Sequence, residues 1–125
     1  MGLTLFPADG DGGSPDAGWS YSGFHAFRRQ LARAEGFDLD EMRGFGGERA
    51  WSDVSTALVP FLDRADNGGG VLSVAECASL LPRLEAIVEQ WWNEAGVPRT
   101  HVDAARRLML VLRVCVAKDV ELLFG

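Results

Sequence analysis

The chain predicts a mainly helical domain, with an α+β arrangement as the alternative. It should contain three substantial helices, one or two short ones, and a minimal two-stranded ribbon made from the termini. Three observations predict this. Apolar residues recur at three- and four-residue steps through three long segments. A serine–glutamate capping signature opens the longest of them. The only strand-like runs lie at the two chain ends. With 125 residues, 47% of them hydrophobic, the chain is one domain, large enough to bury a core without disulfides or metal.

Leu3 to Phe6 alternate and halt at Pro7, and Val120-Glu-Leu-Leu-Phe124 is the matching strand at the other end. Pairing the two would tie down both termini. Residues 8–18, rich in Gly, Asp, Ser and Pro, read as a flexible surface loop. Ser20 or Ser22 caps a helix running to about Glu35, with Gly36 as its left-handed stop. Phe24, Phe27, Leu31 and Ala34 form its apolar stripe, while Arg28, Arg29 and Arg33 fall largely off it as a solvated basic face. Phe37 to Glu48 is a glycine-punctuated connector with one short turn at Asp38–Met42. Trp51, Val54, Leu58 and Leu62 repeat with helical spacing, and Pro60 either ends that helix or opens a second short one.

Ser73-Val-Ala-Glu76 is a capping box in which serine and glutamate side chains each accept from the other's backbone amide. The helix it opens carries Cys77, Leu80, Leu81, Leu84, Ile87, Val88, Trp91 and Trp92 on a wide apolar face, until Gly96 and Pro98 end it. Thr100-His-Val-Asp103 opens the last helix in the same style. Its buried side is Val102, Ala105, Leu108, Met109, Leu112, Cys115 and Val116. Arg99, Arg106 and Arg113, seven apart, make a basic stripe, and Asp103 is placed to pair with Arg106 or Arg107. The expected core is Phe24, Phe27, Leu31, Leu58, Leu80, Leu84, Ile87, Leu108, Met109 and Leu112.

Twelve basic residues against eighteen acidic ones leave a net charge of −6. That argues against non-specific nucleic-acid or anionic-membrane binding and suits a basic protein partner. No apolar run is long enough to span a bilayer, and no positive segment follows Met1, so the expected compartment is the cytoplasm. Cys77 and Cys115 lack the close spacing of a redox motif and read as structural thiols.

The strongest local signal is the glycine-rich stretch from Asp63 to Glu76. In the register set by Glu76, Asn67, Gly70, Leu72, Ser73 and Glu76 take the third, sixth, eighth, ninth and twelfth places of an EF-hand loop. Ala65 and Gly69 occupy the first and fifth, where oxygen donors are needed. The candidate metal ligands are Asp63, Asp66, Asn67 and Glu76, the first two just outside that register. Calcium is the one cofactor this stretch suggests, weakly bound, and a turn that simply seats a helix is the competing reading. Asp9-Gly-Asp11-Gly-Gly-Ser14 has half of such a loop and no glutamate to complete it.

Trp19-Ser-Tyr-Ser-Gly-Phe24 before an arginine-bearing helix, Gly44-Phe-Gly46, Trp51 and the loop entering Leu72-Ser-Val-Ala-Glu-Cys77 together resemble a known set of sequences. It is a family of uncharacterised small bacterial and phage-borne proteins with a Tyr-Ser-Gly-Phe helix start and a degenerate EF-hand-like loop. The resemblance implies a shared fold and brings no activity with it. Gly69 departs from the family's more acidic loop and removes a carboxylate.

His25 and His101 have no sequence-near partner at a catalytic or metal-binding spacing, and no nucleophile elbow, zinc pattern or dinucleotide fingerprint is present. The expected function is therefore a non-enzymatic, acidic protein-interaction domain, of which an immunity-type or regulatory binder is one form. Trp91 and Trp92, about 100° apart on a helix, cannot both face the same core. The exposed one, with Gly68, Gly69 and Gly70, is the candidate interaction surface; a calcium-responsive module is the alternative function.

Overall fold

The computed structural model describes residues 2–63 and 70–125. It is an α+β fold, 53% helix and 16% strand. Strands β1 (Gly2–Pro7), β2 (Ala17–Ser20), β3 (Val71–Leu72) and β4 (Leu122–Phe124) form one antiparallel sheet in the order β2-β1-β4-β3. The helices are α1 (Tyr21–Ala34), α2 (Val59–Leu62), α3 (Val74–Trp92) and α4 (Arg99–Lys118).

The ribbon expected from the termini is present, with Leu5 opposite Phe124 and Pro7 opposite Leu122, but it is only the middle of the sheet. β2 pairs on one side, Leu3 opposite Trp19, and β3 on the other, Leu72 opposite Leu122. The mainly helical expectation with a minimal ribbon is thereby corrected to α+β with four strands. The cause is the shortness of the outer strands. Ala17-Gly-Trp-Ser carries a glycine, and Val71-Leu72 abuts the Ser73 cap, so neither holds a period-two pattern. Their pairing comes from the core beneath, since a two-stranded ribbon alone is marginal in water. Ala17 and Gly18 accordingly leave the expected 8–18 loop and join β2.

Every residue of the expected core is buried, and the sheet adds Leu3, Leu5, Leu72, Leu122 and Phe124 to it. Aromatic rings tie the layers together. Trp19 of β2 stacks on Phe27 of α1 at 5.3 Å, and Phe61 of α2 meets Phe24 edge-on at 5.6 Å. Ser20 is the cap of α1, accepting from the Gly23 amide at 3.0 Å, and Gly36 stops the helix at φ +86°. Pro60 sits in the first turn of α2, so the second short helix is the one that forms, and Trp51–Asp53 is reduced to a single 3-10 turn. Gly47 lies so close to the connector's own backbone that a Cβ would fall 2.0 Å from the Glu41 carbonyl oxygen. No other residue fits there.

α3 tolerates Pro82 because the proline lies on its exposed side, where water replaces the lost hydrogen bond to the preceding turn. α4 begins at Arg99 behind Pro98 with no side-chain cap, so Thr100 is a first-turn residue rather than the expected cap. Asp103 turns back to Arg99, 3.6 Å away, instead of reaching Arg106 or Arg107. Val116, expected on the buried side, is exposed. The helix ends at Asp119, left-handed at φ +55°.

One basic residue is not where the amphipathic pattern puts it. Arg28 is 1% exposed, with its guanidinium over the rings of Phe24 (4.5 Å) and Phe45 (5.1 Å). Its four-residue step from Phe24 carries it onto the apolar side, where the flat cation stacks between aromatic faces.

Candidate interaction surface

α3 and α4 pack against each other, joined by the turn at 93–98. The adjacent tryptophans at the end of α3 part company, as their 100° offset requires. Trp91 is 2% exposed and meets Phe27 edge-on at 6.4 Å, inside the core. Trp92 is 53% exposed. Its ring is held from α4 by the Arg99 guanidinium at 4.5 Å and the Arg106 guanidinium at 5.1 Å. An exposed tryptophan is thus fixed in place by two cation–π contacts, each of which contributes about 0.5–1 kcal/mol at such a site.

Beside the ring is a depression of about 440 Å³ lined by Val88, Glu89, Met109 and Arg106 among others. It adjoins a smaller one of about 300 Å³ that shares Arg106 and Met109 and adds Leu110 and Arg113. Leu110 is 45% exposed. Apolar floor and charged rim therefore follow the seam between the two helices, beginning at Trp92.

Only the two ends of the glycine-rich stretch are described. Asp66, Asn67, Gly68 and Gly69 lie outside the described residues. Asp63 is an exposed residue just past α2, and Gly70 is exposed at φ +101° before β3. Glu76 is committed to the capping box: its Oε1 accepts from the Ser73 amide at 2.9 Å while Ser73 Oγ accepts from the Glu76 amide at 3.1 Å. Among the described residues no group of three or more His, Cys, Asp or Glu side chains gathers as metal ligands do.

Sequence reasoning missed two constellations. The first is at the 9–16 loop, where Asp9 accepts from the Asp11 amide, from Ser14 Oγ and from Lys118 Nζ. Lys118 hydrogen bonding holds the Asp9 carboxyl well below the usual carboxylate range, and Asp9 in turn raises the Lys118 ammonium. Ser14 Oγ lies 3.3 Å from Lys118 Nζ, the spacing of a nucleophile and its base. A lysine held cationic by two aspartates cannot take a proton, so the pair is disarmed as chemistry and serves to staple the loop to α4. Only the long separation of 9 and 118 in sequence hid it.

The second is the thiol pair. Cys77 of α3 and Cys115 of α4 are both buried, their thiols turned to the Leu72 carbonyl at 4.0 Å and the Glu121 carbonyl at 3.7 Å, and the interaction between the two groups pushes the Cys115 thiol up and the Cys77 thiol down. The two histidines stay apart from the depressions described above. His25 stacks on Phe45 and faces Asp40 at 3.6 Å, and His101 packs beside Phe27 with its imidazole pushed down by burial.

The chain was compared with protein-family models, with curated proteins and with solved structures, and no match was found in any of the three. No helix among the described residues is long and apolar enough to cross a membrane.

Proposed function

We propose that this domain is a non-enzymatic protein-interaction module that binds its partner through the Trp92 face of the α3–α4 pair. The observation that carries the reading is Trp92 itself, half out in water yet clamped by Arg99 and Arg106 beside an apolar depression. Tryptophan and arginine are the side chains most enriched at binding hot spots. A ring already held in one position loses little freedom on association, so more of its burial appears as affinity.

The test is a displayed library of helical peptides selected on the wild-type protein and then counter-screened on Trp92→Ala. Binders that fail on Trp92→Ala support the reading. Binders indifferent to Trp92 place the interaction surface elsewhere and defeat it.

A further inference from the structure

The stripe of arginines on α4 says more about the partner. Arg99, Arg106 and Arg113 are spaced at seven residues, so they stay on one side of the helix and drift by only about 20° per step. Along the axis they stand about 10 Å apart. Four residues after Arg106, within the same stripe, comes exposed Leu110. The outer side of α4 therefore presents cations at a heptad pitch, bordering the apolar seam that Trp92 and Met109 open.

These cations are weakly engaged within the chain. Arg99 reaches Asp103 only at 3.6 Å and Arg113 reaches Glu85 only at 3.8 Å, both pairs exposed. Among the described residues no carboxylate lies within 4.0 Å of Arg106. Exposed pairs of this kind contribute little and exchange readily for others. The chain's net charge of −6 is not carried on α4. Its outer stripe sets Arg99, Arg106 and Arg113 against one carboxylate of the same helix, Asp103, while Arg107 and Lys118 turn to Asp16 and Asp9, and Glu85 and Glu89 of α3 form the opposite wall of the depression. A basic partner lying along α4 would meet like charge from this stripe.

We infer that the occupant of the Trp92 seam is an acidic amphipathic helix of a partner protein, lying along α4 with carboxylates repeating every seven residues against Arg99, Arg106 and Arg113. Its apolar side covers Trp92, Met109 and Leu110. A helix matches because its own heptads repeat at the pitch of α4, and two packed helices leave a groove into which a third fits side by side. The inference rests on the reading of the Trp92 face as a docking surface and adds the chemistry of what docks.

The experiment uses two synthetic helical peptides of about three heptads with the same leucine core, one flanked by glutamate and one by lysine. Fluorescence anisotropy measures both against the wild type, Trp92→Ala and Arg106→Glu. The glutamate peptide is expected to bind at least about tenfold more tightly than the lysine peptide. Arg106→Glu should reverse that preference, and Trp92→Ala should weaken the glutamate peptide by about tenfold. Equal affinities that both fall on Trp92→Ala would overturn the acidic helix while leaving the docking face intact. Failure of both peptides to bind would overturn the inference and the docking face together. Concentration-dependent self-association lost on Trp92→Ala, seen by sedimentation, would make the seam an interface between copies of this chain and overturn the inference.

Discussion

Replacing each of the adjacent tryptophans by alanine should give sharply unequal losses of stability. Trp91 is 2% exposed, so Trp91→Ala removes nearly a whole buried indole and leaves a cavity against Phe27. An aromatic side chain buries about 200 Å², which at about 25 cal/mol per Å² is worth about 5 kcal/mol. Large-to-small core substitutions of this type cost about 3–5 kcal/mol. Trp92 is 53% exposed. Its buried half is worth at most about 2 kcal/mol, the contacts with Arg99 and Arg106 add about 1 kcal/mol together, no enclosed cavity forms, and alanine recovers about 0.5 kcal/mol of helix propensity. Trp92→Ala should therefore cost about 2 kcal/mol, a difference of about 2 kcal/mol between neighbours. For a chain of this size the melting temperatures should fall by about 15 °C and about 8 °C. Urea unfolding followed by far-ultraviolet circular dichroism is the assay, because tryptophan fluorescence loses a reporter in each variant. The midpoints are comparable only if the m-values agree. Losses within 1 kcal/mol of each other would refute the division into core and surface tryptophan.

Four further outcomes are expected. Asp119→Gly should stabilise the domain by about 0.5–1 kcal/mol, because glycine adopts the left-handed end of α4 without the strain of a Cβ; a lower urea midpoint would contradict this. Stability should fall as pH drops through the histidine range. Below the ordinary 6.5, unfolded His101 binds a proton that the folded imidazole, pushed down by burial, resists, so its contribution is complete above that pH and is lost beneath it. Melting from pH 8 to 5 should show a shallower acid slope in His101→Gln, and unchanged slopes would be the contrary result. Ser73→Ala should cost about 1 kcal/mol, whereas Glu76→Gln should stay within about 0.5 kcal/mol because glutamine still accepts from the Ser73 amide. Calcium should leave the melting temperature of the EDTA-treated protein where it was; a saturable rise, lost in Glu76→Gln, would show that the glutamate ligates rather than caps.

Helices were legible because their signals are local. The Ser73–Glu76 box, the Gly36 stop and the three apolar stripes each lie within a few residues, and each places its element correctly. The terminal strands were legible for the same reason. The outer strands were not, since Ala17–Ser20 and Val71–Leu72 become strands only when β1 and β4 lie beside them. Arg28 shows the limit of amphipathic reading: charge puts it outside, and the faces of Phe24 and of Phe45 from the connector help make the inside hospitable. Of the candidate surface, the separation of Trp91 from Trp92 follows from helix geometry, but which one faces water depends on how α3 rotates against α1. The arginine stripe was plain in the spacing. Its meaning was not, because only packing puts Arg99 and Arg106 against Trp92.

Whether Trp92 and the seam beside it receive a partner helix can be read from the indole N–H signals of the four tryptophans. A peptide selected for binding is titrated into isotope-labelled protein, and the Trp19, Trp51, Trp91 and Trp92 resonances are followed together. The Trp92 signal should move saturably, with the backbone amides around Arg106 and Leu110, while the other three indoles stay nearly still. Shifts centred on the sheet edge or the 9–16 loop, with Trp92 unmoved, would contradict it.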